Sequence, residues 1–206
     1  MITKRQQEIC SCIDKCNIVA DVGCDHGKIG GHLLKSGIAQ RVIFCDISYK
    51  SLSKAKKFID ENNLYGAEFI CQDGLKDIIA DVAIIAGMGG HEILKIIAEA
   101  EHKPEKLIIQ PMSDCVEVRK KLSKDYKFIK DYLIFDGNKY YNIMSLIKGS
   151  DIFTEKELEF GRTNIHSPSE DFMRYLKREY ERYLNVLTKT SDYEVVQKMQ
   201  RIKELL

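Results

Sequence analysis

The sequence has no apolar run long enough to cross a bilayer and no surplus of one charge. Its most apolar stretch, Ile78 to Gly90, is 13 residues long and interrupted by Asp81, well short of the roughly 20 residues that span a membrane. It reads as a buried strand with its flanks. The 32 Lys and Arg stand against 31 Asp and Glu, a net charge of +1, so any nucleic-acid partner has to be met by a local patch. The amino terminus, Met1 to Glu8, is charged and amphipathic at once and lacks the apolar core of a secretory signal, so export is not expected. No internal repeat or low-complexity tract is present. Hydrophobic residues at 44% and charged residues at 31% exclude wholesale disorder. A length of 206 residues allows one domain, or one plus a small appendage, at roughly 100–200 residues per domain.

Seven cysteines, at 10, 12, 16, 24, 45, 71 and 115, are an odd number, which suits a reducing cytosol better than a disulfide framework. A cytoplasmic protein is expected. The Cys10-x-Cys12-x3-Cys16 cluster has no second Cys or His pair at finger-like spacing, so no metal site is expected.

From Val19 to Gln110 short β-branched runs alternate with longer amphipathic segments, the pattern of a parallel α/β sheet. Five strands are predicted, at Val19–Val22, Arg41–Asp46, Glu68–Cys71, Asp81–Ala86 and Lys106–Gln110. Helices are predicted at 3–16, 29–36, 48–63, 90–101 and 113–125, with Ser48 capping the third. Phe128–Asp136 and Tyr140–Ile147 then form two strand-like runs joined by Gly137-Asn138-Lys139, a hairpin signal. Alternating βα units closed by an antiparallel hairpin resemble the class I methyltransferase fold, and dinucleotide-binding folds lack the hairpin. Gly149-Ser150-Asp151 marks a boundary, giving domains at 1–149 and 150–206. Beyond it Phe172, Leu176, Tyr180, Tyr183 and Leu187 lie on one helix face. After a break at Thr188–Asp192 the stripe resumes at Val196, Met199, Ile202 and Leu206, predicting a helical hairpin or short coiled coil.

The first strand runs into Asp21-Val22-Gly23-Cys24-Asp25-His26-Gly27, a glycine turn leading to a helix whose free amides can meet a ligand. Asp25 stands where a dinucleotide loop has its second glycine. A carboxylate there repels a pyrophosphate and accepts hydrogen bonds from a cationic ligand such as S-adenosylmethionine. Asp46 closes the second strand 25 positions after Asp21, where an acidic residue can bond ribose hydroxyls, with Ile47 next to it. Asp73, followed by Gly74 and Leu75, lies past the third strand, where a carboxylate can accept an adenine amino group. Each Asp alone reads equally as a cap or turn residue, but three at consecutive strand ends mark the ligand-binding edge of an open sheet. Gly87, Met88, Gly89 and Gly90 follow the fourth strand as a loop needing positive φ or close backbone approach. The Asn/Asp-Pro-Pro-aromatic motif of many exocyclic-amine methyltransferases is missing there, which favours attack by a ring nitrogen. Gln110-Pro111 adds an amide facing the cleft.

Val19 to Gly27, Gln72 to Leu75, Ala86 to Gly90 and Leu107 to Pro111 together resemble the bacterial tRNA (adenine-22-N1)-methyltransferase family along the whole chain. The resemblance implies S-adenosylmethionine as methyl donor and N1 of an adenine in the tRNA D-loop region as acceptor. Carried over by position, Gly23, Asp25, His26, Gly27, Asp46, Asp73 and Gly74, with Gly87 to Gly90, hold or border the cofactor; Asp21, Cys24, Ile47 and Leu75 flank them. Asp25 and His26 are the catalytic candidates, Asp25 to orient the adenine amino group and His26 either to assist or to cap the helix. Tyr141-Asn142 and Phe160-Gly161-Arg162 depart from the family pattern and are expected to lie away from the cleft.

For tRNA phosphates the candidates are Lys4, Arg5 and Lys15 on the first helix and Arg174, Lys177, Arg178 and Arg182 on the terminal one. Segment 151–206 holds 10 basic and 11 acidic residues, so a solvated or packing face is the competing reading. A monomer is expected, with pairing through the terminal helices left open. The alternatives are a small-molecule or protein methyltransferase on the same fold and a catalytically silent RNA-binding module; an NAD oxidoreductase is disfavoured by Asp25 and the hairpin.

Overall fold

A computed structural model describes residues 2–188 and 192–206. Thr3 opens α1 (Lys4–Ser11) with a capping box: its hydroxyl accepts from the Gln6 N–H and the Gln6 side chain returns to the Thr3 N–H. The helix expected to reach residue 16 stops at Ser11, because the chain bends to bury Cys12 and Ile13 before entering β1 (Cys16–Val22). Then follow α2 (Lys28–Lys35), β2 (Ala39–Asp46), α3 (Tyr49–Glu61), β3 (Ala67–Cys71), β4 (Val82–Met88), α4 (Gly90–Ala98), β5 (Lys106–Pro111) and α5 (Cys115–Leu122). The hairpin strands are β6 (Tyr126–Asp136) and β7 (Lys139–Lys148), turning through Gly137-Asn138.

The seven strands are ordered β3-β2-β1-β4-β5-β7-β6. The first five are parallel, and β7 inserts antiparallel between β5 and β6, so the class I methyltransferase architecture expected from the hairpin is the one found. One face buries Ile93, Ile97, Val118 and Leu122 of α4 and α5. The other buries Ile9, Leu33, Leu52, Ala55 and Ile59 of α1, α2 and α3. The cysteine cluster is absorbed by this packing: Cys10 and Cys12 are buried, and burial pushes the Cys10 thiol up to about 12. No described helix is long and apolar enough to cross a membrane.

The C-terminal segment is more divided than the predicted hairpin, with α6 (Glu155–Phe160), α7 (Arg162–His166), α8 (Glu170–Leu187) and α9 (Tyr193–Lys203). Of the predicted break, residues 189–191 lie outside the described residues. Leu133 of β6 joins Phe160, Phe172, Leu176 and Ile202 in a third core, while Leu184 and Val186 at the far end of α8 are exposed. Those two lie off the predicted stripe, whose Tyr180 and Tyr183 also pack partly buried against this core, so the stripe docks along most of α8.

Polar side chains complete that docking. β6 is an edge strand, and its outward N–H groups would otherwise be free. The amides of Phe128, Asp131, Leu133 and Phe135 donate instead to Asp151 Oδ2, Thr163 Oγ1, Asn164 Oδ1 and Asp171 Oδ2 at 2.9–3.0 Å. Beneath them the buried Arg119 guanidinium clamps the Asp131 carboxylate at 2.8 and 2.9 Å and donates to the Leu158 carbonyl at 2.9 Å.

Candidate active site

The carboxyl ends of β1, β2, β3 and β4 open into a cavity of about 670 Å³. Gly23 enters it at φ 68° and donates its N–H to the Cys45 carbonyl at 2.8 Å. A Cβ there would overlap the Met88 methyl group, so loop and β4 approach as closely as a glycine permits. Asp25, a non-glycine residue, is held at φ 44°, a strained conformation that concentrates at ligand sites. Its N–H donates to Asp46 Oδ2 at 3.3 Å, and among the described residues the basic groups within ion-pair distance of its carboxylate are Lys54 and His26, each at 3.7 Å. The Asp25 side chain is 64% exposed, leaving its acceptor lone pairs open to a ligand. His26 is also exposed, and α2 takes Gly27 as its N-cap with no side-chain cap bond, so the helix-cap reading of His26 is not what is seen.

Asp46 accepts from the Ser48 N–H at 2.9 Å, and Ile47 stands exposed at the rim. Asp73 pairs with Lys95 at 3.2 Å, and Gly74 lines the cavity beside it. Asp21 is buried and accepts from the Gly30 N–H at 3.0 Å, tying β1 to α2. Burial pushes its carboxyl up to about 7, against the opposing effect of the Gly30 hydrogen bond. Cys24 lines the cavity although it is largely buried, its thiol raised by desolvation.

Four predicted cofactor residues, Gly27, Leu75, Gly89 and Gly90, are not among the residues lining the cavity. Gly27, the N-cap of α2, is buried against Ala55 and Phe44. Leu75 turns inward and is 1% exposed, packed with Ile78, Ile93 and Ile96. Gly89 caps α4, and Gly90 is buried against the Ser113 carbonyl and Asp114. The predicted loop is in part strand: β4 continues through Met88, and Gly87 at φ 80° makes the bulge between Ala86 and Met88. Gly87 and Met88 therefore face the cavity while Gly89 and Gly90 start the helix.

The opposite wall was harder to foresee. Arg5 reaches the cavity from α1, donates to Gln110 Oε1 at 2.6 Å and lies over the Tyr141 ring at 5.2 Å. A Cβ on Gly87 would come 3.4 Å from that guanidinium. Gln110 is fully buried, its Nε2 donating to the Pro111 carbonyl at 3.1 Å, so it stands behind Arg5 instead of facing the cleft. Tyr141, expected away from the cleft, lines it: β7 is antiparallel, so its first residues fall at the edge where the parallel strands end. The hairpin signal contained that information.

A family model described as a methyltransferase domain matches residues 2–144. The chain belongs to this methyltransferase family. Over 154 residues it is 30% identical to the putative tRNA methyltransferase MG248 of Mycoplasma genitalium, covering 70% of this chain and 69% of that one. It is 29% identical over 151 residues to the tRNA (adenine(22)-N(1))-methyltransferase of Bacillus subtilis, covering 69% and 63%. A crystal structure of Streptococcus pneumoniae Sp1610, a putative tRNA (m1A22) methyltransferase in complex with S-adenosyl-L-methionine, superposes with a TM-score of 0.91 at 25% identity over the whole of both chains. The family expected from the Asp25-His26 and Gly87–Gly90 loops is the one these relatives carry.

The cations expected to meet tRNA are dispersed in this methyltransferase. Lys15 is not on α1 but in the connection to β1, at the amino edge of the sheet and remote from the cavity. Lys4 bonds Asp171 at 2.8 Å and the Phe135 carbonyl at 3.2 Å. On α8, Arg174 pairs with Asp171, Arg178 lies 4.7 Å over Tyr140, and Arg182 pairs with Glu179 at 2.5 Å. Lys177 is exposed and, among the described residues, has no ion pair.

Proposed function

We propose that this methyltransferase transfers the methyl group of S-adenosylmethionine to N1 of adenine 22 in the D-loop region of tRNA. The carrying observation is that Asp25, Asp46 and Asp73 line one cavity with the Gly23 turn. Asp25 and Asp46 keep open acceptor positions and Asp73 shares its carboxylate with Lys95 at 3.2 Å; such acceptors suit a ligand that brings a sulfonium, an ammonium, ribose hydroxyls and an adenine amine. The relatives named above, one of them a Bacillus subtilis tRNA (adenine(22)-N(1))-methyltransferase, support the acceptor.

Asp46 and Asp73 would hold the ribose hydroxyls and the adenine amino group, and the Gly23 turn would pass along the ligand backbone. The bound cofactor supplies an electrophilic methyl group on sulfur. Adenine N1 carries an in-plane lone pair, so the chain's task is alignment more than strong base catalysis. N1 is also a Watson–Crick atom; the base has to leave its stack at a cost of a few kcal/mol. Asp25 accepts a hydrogen bond from the adenine amino group, orienting N1 and offsetting the positive charge that grows on the ring, with His26 assisting. Arg5 and Tyr141 form the wall on the β5–β7 side, away from Asp46 and Asp73, and support the acceptor base. Residues 150–206 serve as a tRNA-contacting unit of a cytosolic monomer, with Lys177 of α8 presenting a cation that has no ion pair among the described residues.

The test is methyl transfer from labelled S-adenosylmethionine to unmodified tRNA, followed by nucleoside analysis. The expected product is 1-methyladenosine that vanishes when adenine 22 is replaced. Cofactor binding without transfer to any tRNA would refute the acceptor assignment.

A further inference from the structure

Between Gly27 and Lys57 the sequence carries seven basic residues and one acidic residue, Asp46. The C-terminal segment, with 10 basic and 11 acidic residues, is nearly neutral. The basic stretch folds into α2 and α3, whose N-termini start at the cavity edge and whose buried sides pack on the same face of the sheet. Lys28, His32 and Lys35 repeat at helical spacing on α2, as do Lys50, Lys54 and Lys57 on α3. Leu33 of α2 and Leu52, Ala55 and Ile59 of α3 point into the core, which turns both rows outward. Lys28 lines the cavity and also a groove of about 160 Å³ between the two helices, together with His32 and Lys35. One continuous cationic track therefore leaves the active site in that direction. Among the described residues Lys28, Lys35 and Lys50 have no carboxylate within ion-pair distance, in contrast to the arginines of α8.

We propose that the α2–α3 face is a binding surface for the phosphate backbone of the tRNA, on the opposite flank of the cavity from the C-terminal helices. The inference rests on tRNA being the substrate. Five inter-strand steps separate β2 from β6, about 24 Å at the usual strand spacing, so the two flanks grip well-separated parts of one folded RNA while the adenine enters between them. Phosphate contacts add affinity without sequence selectivity and make it salt-dependent.

The experiment compares wild type with a Lys35→Glu/Lys50→Glu/Lys57→Glu variant, none of whose positions lines the cavity. A control, Lys120→Glu/Lys124→Glu/Lys127→Glu, makes the same charge change around α5 and the start of β6, at the amino edge of the sheet. The expected result is a tRNA Kd and KM raised about tenfold or more, and a plot of log affinity against log salt flatter by about 2 to 3. S-adenosylmethionine affinity and the thermal midpoint stay at the wild-type values. Unchanged tRNA affinity and salt slope, or an equal loss in the control, would overturn the proposal. Wild-type protein that neither binds nor methylates tRNA would instead overturn the substrate reading, which separates the two failures.

Discussion

Around the cavity, Asp25 and Asp46 have backbone amides and a cation at 3.7 Å for company, whereas at the C-terminal dock Asp131, Asp151 and Glu157 each close on an arginine at 2.7–3.0 Å. The dock carboxylates also accept edge-strand and cap amides. Their lone pairs are occupied, so they fix structure. Those at the cavity keep spare acceptor capacity, which is what a cationic ligand needs. The same contrast holds for cations: the arginines of α8 are engaged by acids and rings, while the lysines of α2 stand free among the described residues. Residue type alone does not separate a binding group from a structural one; saturation of its partners does.

The contrast is broken most severely by changing the open carboxylate. Asp25→Asn is expected to lower turnover about 100-fold or more, with S-adenosylmethionine affinity from calorimetry affected much less. Full turnover in this variant would remove Asp25 from the chemistry. Breaking the saturated side costs stability instead: Arg119→Met leaves Asp131 buried without its cation, a loss of about 3–5 kcal/mol in urea unfolding. Arg119→Met/Asp131→Leu should recover much of it, since an apolar pair needs no compensation.

A smaller effect is expected at the Gly23 turn. Gly23→Ala forces a side chain onto φ 68° and against Met88, and should weaken cofactor binding about tenfold, in line with 1–3 kcal/mol of backbone strain. Adding Met88→Ala relieves the overlap but not the φ strain, so rescue should be partial; complete rescue would show that the turn geometry is dispensable.

The mildest test is pH, where the two regions titrate in opposite senses. Asp21 has its carboxyl raised from 3.8 to about 7 by burial, so the folded state binds the extra proton and stability falls as pH rises between these values. Glu157 is lowered from 4.5 to about 2 by the Thr154 amide, His166 and Arg162, against the effect of burial. Its contribution is present above 4.5 and is lost as pH falls toward 2. Thermal melts should show Asp21→Asn flattening the decline between pH 5 and 7, and Glu157→Gln weakening the loss at the acid end. Asp21→Asn melting with the wild-type pH profile would assign the decline elsewhere.

Much of the fold is local information. Short β-branched runs separated by longer amphipathic segments marked the five parallel strands and their helices, and Gly137-Asn138-Lys139 marked the hairpin. Asp25, Asp46 and Asp73 fell at strand ends, which is enough to place them on one edge once the strands are parallel. The inward turn of Leu75 and the packing of Gly90 were not legible, because backbone direction within a short loop depends on what the core has room for. The four helices of the C-terminal segment were read as one hairpin because α6 and α7 are too short to show a period.

By itself the sequence determined the alternation of elements, the carboxylates of the binding edge and the lysine-rich composition of residues 27–57, since each depends on neighbours a few positions away. Only the tertiary structure decided that Arg5 and Tyr141 share a wall of the cavity. It also decided that Thr163, Asn164 and Asp171 cap the edge of β6, and that the arginines of α8 are held by acids and rings of the same chain. Those pairings join residues distant in sequence through the antiparallel insertion of β7 and the docking of the terminal helices. No local pattern encodes which of many long-range partners the assembled sheet edge will bring within reach.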